Sequence, residues 1–377
     1  MTVHESAGVP GNRIAALRRE WPLAANLATT ALFLNFGGRW LADLSNPAWF
    51  AFVFAWLFAV ILASAFAVVR HAEAVAVRLG EPLGTLVLTL CVTGIEIMMI
   101  SAVMLTGKGN PTLARDSMFA VVMIVLNGMV GLSLLLGGLR HREQSYNLRG
   151  ANAFLAVIVP IAVLGLVLPT FTVAVPGPVF SPLQSIFFSV MSFGLYGVFL
   201  AIQNVRHREY FVAPEPAVGA EHDERPAGGI GPHVALLIAY LVPLVALSKR
   251  IAVPIDHGIE ILHAPAALGG VAVAVLILAP ESLAAARSAL ANDLQRAINV
   301  LLGSVLATIS LTIPSVLIVG FLTHQTIVLG IDAVNMVLLV LTLAVSMLTF
   351  SSARTNVLLG AVHSLLFLAY LMLIFER

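Results

Sequence analysis

Charge is scarce in this chain. Asp, Glu, Lys and Arg make up 10% of its 377 residues, against 59% hydrophobic. A soluble domain carries about 25% charged residues, and so few cannot coat a water-facing surface. Cysteine is scarcer still: Cys91 stands alone, which excludes an internal disulfide. The opening stretch MTVHESAGVPGNRIAALRREWP has no early apolar core and no small-residue cleavage site, so no secretory signal peptide is expected. No phosphate-binding loop, nucleotide fold or nucleophile triad is found, which disfavours an ATP-driven pump, and no nucleic-acid partner is expected. The short alternating segments of a β-barrel are missing too.

Long apolar runs are what the chain does have, and its mean hydropathy is +0.99. A spanning helix needs about 20 mostly apolar residues. Eleven runs qualify, at 21–37, 47–69, 82–106, 116–138, 151–170, 183–205, 233–249, 265–287, 297–321, 326–349 and 355–374. Segments such as GKGNP, LRHREQSYNLRG and SKRIAVPIDHG read as the stops between them. The fold class is therefore an all-α polytopic membrane protein, with the lipid bilayer as its partner. With the N-terminus cytoplasmic, 14 of the 20 Lys and Arg residues fall inside and 6 outside. That bias predicts N-in and, after eleven spans, C-out in the cell's inner membrane.

The longest charged connection, 206–232, divides the chain. Residues 1–46 hold the N-terminus and an extra first helix, 47–205 a first set of five helices, and 233–377 a second set. The acidic, Pro- and Gly-rich linker carries Glu209, Glu215, Glu221, Asp223 and Glu224 and reads as a cytoplasmic linker between the halves. The two halves repeat one another. LGTLVLTLCVTGIE runs from Leu83 to Glu96, and LGGVAVAVLILAPE from Leu268 to Glu281. Glu follows Gly by twelve residues in both, from Gly84 and from Gly269. In the next helices, Arg115 precedes Asn127 by twelve and Arg296 precedes Thr308 by twelve. The matched helices run in opposite directions across the membrane, so the repeats are inverted.

Glu96 and Glu281 are the acidic residues set far inside a span. Twelve residues of helix cover about 18 Å, past the middle of a core about 30 Å thick. A carboxylate there costs several kcal/mol and is normally tied to function. Inverted symmetry brings the two together. Gly94 and Pro280 stand just before them and are expected to bend or break the helices and free backbone carbonyls. Gly84 and Gly269 are candidates for close packing or bending. Carboxylates and carbonyls make an all-oxygen shell that suits a hard cation. Proton and cation would compete for the same pair.

These stretches resemble a known family. HAEAVAVRLGEPLGTLVLTLCVTGIEI, RDSMFAVVMIVLNGMVGLSLLLGGLRH and LAPESLAAARSALANDLQRAINVLLGSVLATISLTIPSVLI are similar to the bacterial calcium/proton antiporters of the ChaA type, in the cation/calcium exchanger superfamily. The resemblance implies a 1+5+5 helix architecture, alternating access and one essential acidic residue per repeat, here Glu96 and Glu281. It places their amide or hydroxyl partners at Asn127 and Thr308. It implies Ca²⁺, Na⁺ or K⁺ and H⁺ as transported species, with no resident cofactor. The family's Gly-Ser survives as Gly303-Ser304, where the first repeat has Val122-Met123.

Two charged clusters flank the proposed site. His71, Glu73 and Glu81 are expected beside the cytoplasmic mouth, and Asp256, His257, Glu260 and His263 beside the outer one. They read either as solvated interfacial charge or as a proton or cation funnel. Two other function classes compete with an antiporter: a cation channel or facilitator without proton coupling, and an intramembrane enzyme using paired carboxylates. The repeat favours the antiporter, and the short Asp motifs of the enzyme class are not found.

Overall fold

The computed structural model describes residues 20–80, 83–106, 111–213, 229–265 and 267–376. Among them are eleven helices of fifteen residues or more. In chain order these are α1 (Trp21–Asn35), α2 (Pro47–Leu79), α3 (Leu83–Thr106), α4 (Leu113–His141), α5 (Leu148–Thr170), α6 (Pro182–Arg206), α7 (Ile230–Ile261), α8 (Ala267–Leu290), α9 (Leu294–Thr323), α10 (Ala333–Thr349) and α11 (Val357–Phe375). Eight are long and apolar enough to cross a membrane; α10 and the Val87–Ser101 stretch of α3 are shorter apolar helices, and α1 has 15 residues. The protein is a multi-pass membrane protein.

Local chemistry fixes the helix starts. Asn46 caps α2 by accepting from the N–H groups of Ala48 and Trp49, with Pro47 at the first helical position. Ser181 and Gln184 form a capping box at α6. Asp293, Asp332 and Asn356 accept from backbone N–H groups at the starts of α9, α10 and α11. The middles of α4 and α9 are the most buried, so these two helices form the core of the bundle.

Three boundaries differ from expectation. Helix α2 continues to Leu79, and α7 runs through Lys249, Arg250 and Pro254 to Ile261. The charged clusters therefore sit largely on helix ends, not in loops. Lys249 is exposed, and long basic side chains carry their charge to the interface while the helix continues. The third is α10, which begins at Ala333, not 326. The segment before it is extended and held by backbone bonds, from Val328 N to Pro111 O at 3.0 Å and from Ile331 N to Leu166 O at 2.9 Å.

The expected breaks at Gly94 and Pro280 are not seen. Helices α3 and α8 pass through both positions as α-helix. Pro280 withholds one N–H from its own helix without stopping it. Irregularity lies instead in the neighbouring helices, as π-turns at Ile124–Met129 in α4 and Thr308–Thr312 in α9. Of the two paired glycines, Gly84 is the tight one. A Cβ there would lie 2.2 Å from the carbonyl oxygen of Ala76, so α3 leaves α2 in direct backbone contact. At Gly269 a Cβ would make only ordinary contacts, whereas at Gly270 it would meet the α4 backbone of Asp116 and Ser117 at 2.8 Å.

Candidate functional site

Glu96 on α3 is 2% exposed. Its Oε2 accepts a 2.7 Å hydrogen bond from the Thr308 hydroxyl on α9. Its Oε1 has no hydrogen-bond partner among the described protein atoms. Glu281 on α8 is half-buried, and its Oε2 accepts from the Ser304 hydroxyl, also on α9. Both carboxylates line a single cavity of about 420 Å³, together with Thr308, Ser304, Pro280 and Glu73. The cavity opens past Gln203, Asn204 and Arg208, at the end of α6.

The two repeats build this site jointly. Helix α3 comes from the first five-helix set, and α8 and α9 from the second. The hydroxyls at Ser304 and Thr308 are four residues apart, one helical turn, so one face of α9 serves both carboxylates. The π-turn that starts at Thr308 lies where this face meets Glu96, and π-bulges often mark functional sites.

Asn127 goes elsewhere. It is fully buried on α4 but does not line the cavity. Its Nδ2 donates to Thr342 Oγ1 at 2.8 Å, and its Oδ1 lies 3.2 Å from His363 Nδ1. The resemblance places a carboxylate partner at Asn127; in the structure the hydroxyl that donates to Glu281 is that of Ser304. The first π-turn encloses Asn127, whereas the second begins at Thr308. An extra residue in a helical turn rotates the remainder of the helix by about 100°, and spacing in the sequence does not reveal that rotation.

The expected funnel residues separate. Glu73 is exposed at the cavity mouth, close enough to Glu281 for its charge to be felt there. His71, two residues earlier, is buried on another face of α2 and contacts Glu20 and His233. Glu81 lies outside the described residues. Asp256, His257 and Glu260 stand on the last turns of α7, with His263 just beyond at φ 47°. His257 Nε2 lies 2.8 Å from the Leu44 carbonyl oxygen. Asp43, nearby and exposed, is held below the usual carboxylate range by hydrogen bonds from Ser45.

Sequence reasoning also missed Thr93, one turn before Glu96, and Tyr196, both of which line the cavity. Thr93 carried a signal, since a hydroxyl three residues from an intramembrane Glu shares its helix face. Among the described residues no group of three or more His, Cys, Asp and Glu side chains is placed to hold a metal ion. A cation here would rest on two carboxylates and neutral oxygens. The partnerless Oε1 of Glu96 fits that donor set.

Comparison with known proteins gives the lineage. The chain is 43% identical to the putative ionic transporter y4hA of Sinorhizobium fredii, over 83% of this chain and 86% of that protein. It is also 43% identical to the sodium-potassium/proton antiporter ChaA of Escherichia coli, over 84% of this chain and 86% of that one. The crystal structure of the Ca²⁺/H⁺ antiporter YfkE superposes with a TM-score of 0.72 at 20% identity, covering 95% of this chain and 99% of that one. The H⁺/Ca²⁺ exchanger CAX gives 0.64 at 13% identity, covering 94% and 88%. These two likenesses show the fold. The sodium/calcium exchanger protein model matches residues 49–205 and 232–376, and the chain belongs to that family.

Proposed function

We propose that the protein is a secondary antiporter that exchanges a hard cation, Ca²⁺ or alternatively Na⁺ or K⁺, for protons by alternating access. The observation that carries this reading is the shared cavity. One carboxylate from each repeat faces it, and both are steadied by hydroxyls of α9. The relatives named above as antiporters support the same chemistry. Each carboxylate holds a proton or a share of the cation's coordination, but not both at full strength. Thr308 and Ser304 donate to the charged carboxylate, and their oxygens are available to a cation as neutral ligands. No covalent step is needed, so the protein acts as a carrier and not as an enzyme.

The basic residues support an orientation. Helices alternate in direction, which puts Arg70, Arg78, Arg140, Arg142, Arg149, Arg206, Arg208, Arg287, Arg296 and Arg354 at one face of the bundle. Arg39, Arg115, Lys249 and Arg250 lie toward the other. The basic face carries the cavity mouth. It is the cytoplasmic face of the inner membrane under the positive-inside rule, with the N-terminus inside and the C-terminus outside. The test is cation uptake into everted membrane vesicles under an imposed pH gradient. Uptake of Ca²⁺, Na⁺ or K⁺ that collapses with the gradient supports exchange. Uptake indifferent to the gradient would mean a channel.

A further inference from the structure

A second set of titratable groups lies on the same face, away from the cavity. Glu20, just before α1, is its hub. Arg70 on α2 donates to Glu20 Oε1 at 2.7 Å, and Tyr240 on α7 donates to Oε2 at 2.8 Å. His71 Nε2 is 3.2 Å from the same Oε2. The other ring nitrogen of His71, Nδ1, is 2.9 Å from Nδ1 of His233 on α7. The cluster thus ties together the extra first helix and the first helix of each repeat. The α2–α7 pair it joins is among the most extensively packed in the bundle.

We propose that this cluster is a proton-binding site separate from Glu96 and Glu281, in which the His71–His233 contact holds α2 to α7 until both rings are charged. The number of protons the two rings carry decides whether the contact holds. With His71 donating from Nε2 to Glu20, its Nδ1 accepts from His233 Nδ1–H, and both rings are neutral. One added proton is accommodated. His71 then donates from Nδ1, and His233 accepts there with its own proton on Nε2. A second proton cannot be accommodated, because two N–H groups then face each other at a distance meant for one hydrogen bond. Both rings would also be cations beside Arg70, whose Nη2 is 3.3 Å from His71 Nε2.

The other charges acting on His233 are Arg78, Glu20 and Arg70. Glu20 is the lone carboxylate among them and already serves Arg70, Tyr240 and His71. It stays ionised through this range. Burial pushes its carboxyl up, but the hydrogen bonds from Tyr240 and His71 and the charge of Arg70 outweigh that and hold it below the usual Glu range. His71 is two residues from Glu73 on a continuous helix, so movement at the cluster reaches the cavity mouth. Acid at this face therefore loosens α2 from α7 and slows exchange, independently of protonation at the two cavity glutamates.

The transport readout rests on the antiporter reading, so a second readout avoids it. His233→Gln keeps a donor toward His71 but cannot be charged; His233→Arg is always charged. Exchange by reconstituted full-length protein would be measured against pH on the Arg70 face. The acid limb of His233→Gln should be shallower and displaced at least about 0.5 pH unit toward acid. His233→Arg should be slow at every pH. In parallel, tryptophan emission would be followed from about pH 8 to about pH 5, since Trp21 adjoins Glu20. A transition that is lost in both Trp21→Phe and His233→Gln supports the site even in a preparation that does not transport. Superimposable pH profiles and an unaltered Trp21 transition in His233→Gln would overturn it.

Discussion

At the residue scale, two carboxylates and the hydroxyls that hold them face one cavity. Gln at position 96 or 281 keeps the size and one oxygen but carries neither the charge nor the exchanged proton. Glu96→Gln and Glu281→Gln should each reduce gradient-driven exchange to background while expression stays near normal, as judged by vesicle flux and immunoblot. Asn127 and Thr308 should now differ, although the repeat pairs them. Thr308→Ala removes the 2.7 Å bond to Glu96 and a neutral oxygen of the cavity. It should weaken apparent cation affinity several-fold without eliminating transport. Asn127→Ala leaves Thr342 and His363 without their shared buried partner. A lost buried hydrogen bond costs roughly 1–3 kcal/mol, so this variant should lower thermal stability in detergent more than it changes cation affinity. Equal effects of the two on affinity would mean that Asn127 turns into the cavity during the cycle. Both glutamates were legible in the sequence because a charge deep in an apolar run stands out. The facing of Asn127 was not, because it depends on where one extra residue enters a helical turn.

At the element scale, glycines distinguish packing from bending. Gly84 is backed by the Ala76 carbonyl at 2.2 Å from an added Cβ, and backbone cannot step aside cheaply. Gly84→Val should therefore destabilise the protein by about 1–3 kcal/mol or prevent accumulation, seen as a lower melting temperature. Gly94 sits in a continuous helix, and a Cβ there meets nothing within 4 Å. Gly94→Ala should fold at least as well as the native chain, since Ala is the better helix former by about 1 kcal/mol. A melting temperature that falls on Gly94→Ala would revive the bent-helix reading. Most helix positions were legible from apolar run length alone, though the start of α10 was not. The ends of α2 and α7 were not. Arg70 and the Lys249-Arg250 pair look like stops in a hydropathy reading, yet these helices project beyond the apolar zone and carry charge on their final turns.

At the scale of the whole molecule, the repeat made the architecture readable in the sequence. One twelve-residue offset could arise by chance; two, in consecutive helices of each half, pointed to a common centre. The structure shows that the centre is not symmetric. Helix α9 serves both carboxylates, while its counterpart α4 gives its amide to α10 and α11. The sequence repeats chemistry, but a carrier open at one face uses its two halves differently at any moment. In the arrangement described, Gln203 and Arg208 line the same cavity as both carboxylates.

If proton and cation compete for Glu96 and Glu281, cation affinity must depend on pH. Initial Ca²⁺ and Na⁺ fluxes would be measured from about pH 5.5 to about pH 9 at a constant gradient. Binding a cation must release the protons it displaces, and two carboxylates release at most two. Apparent affinity should therefore weaken as pH falls, by up to about 100-fold per pH unit for two protons and about 10-fold for one, and the flux should pass through a maximum. A cation affinity that does not change over that range would place proton and cation at separate sites and contradict the account.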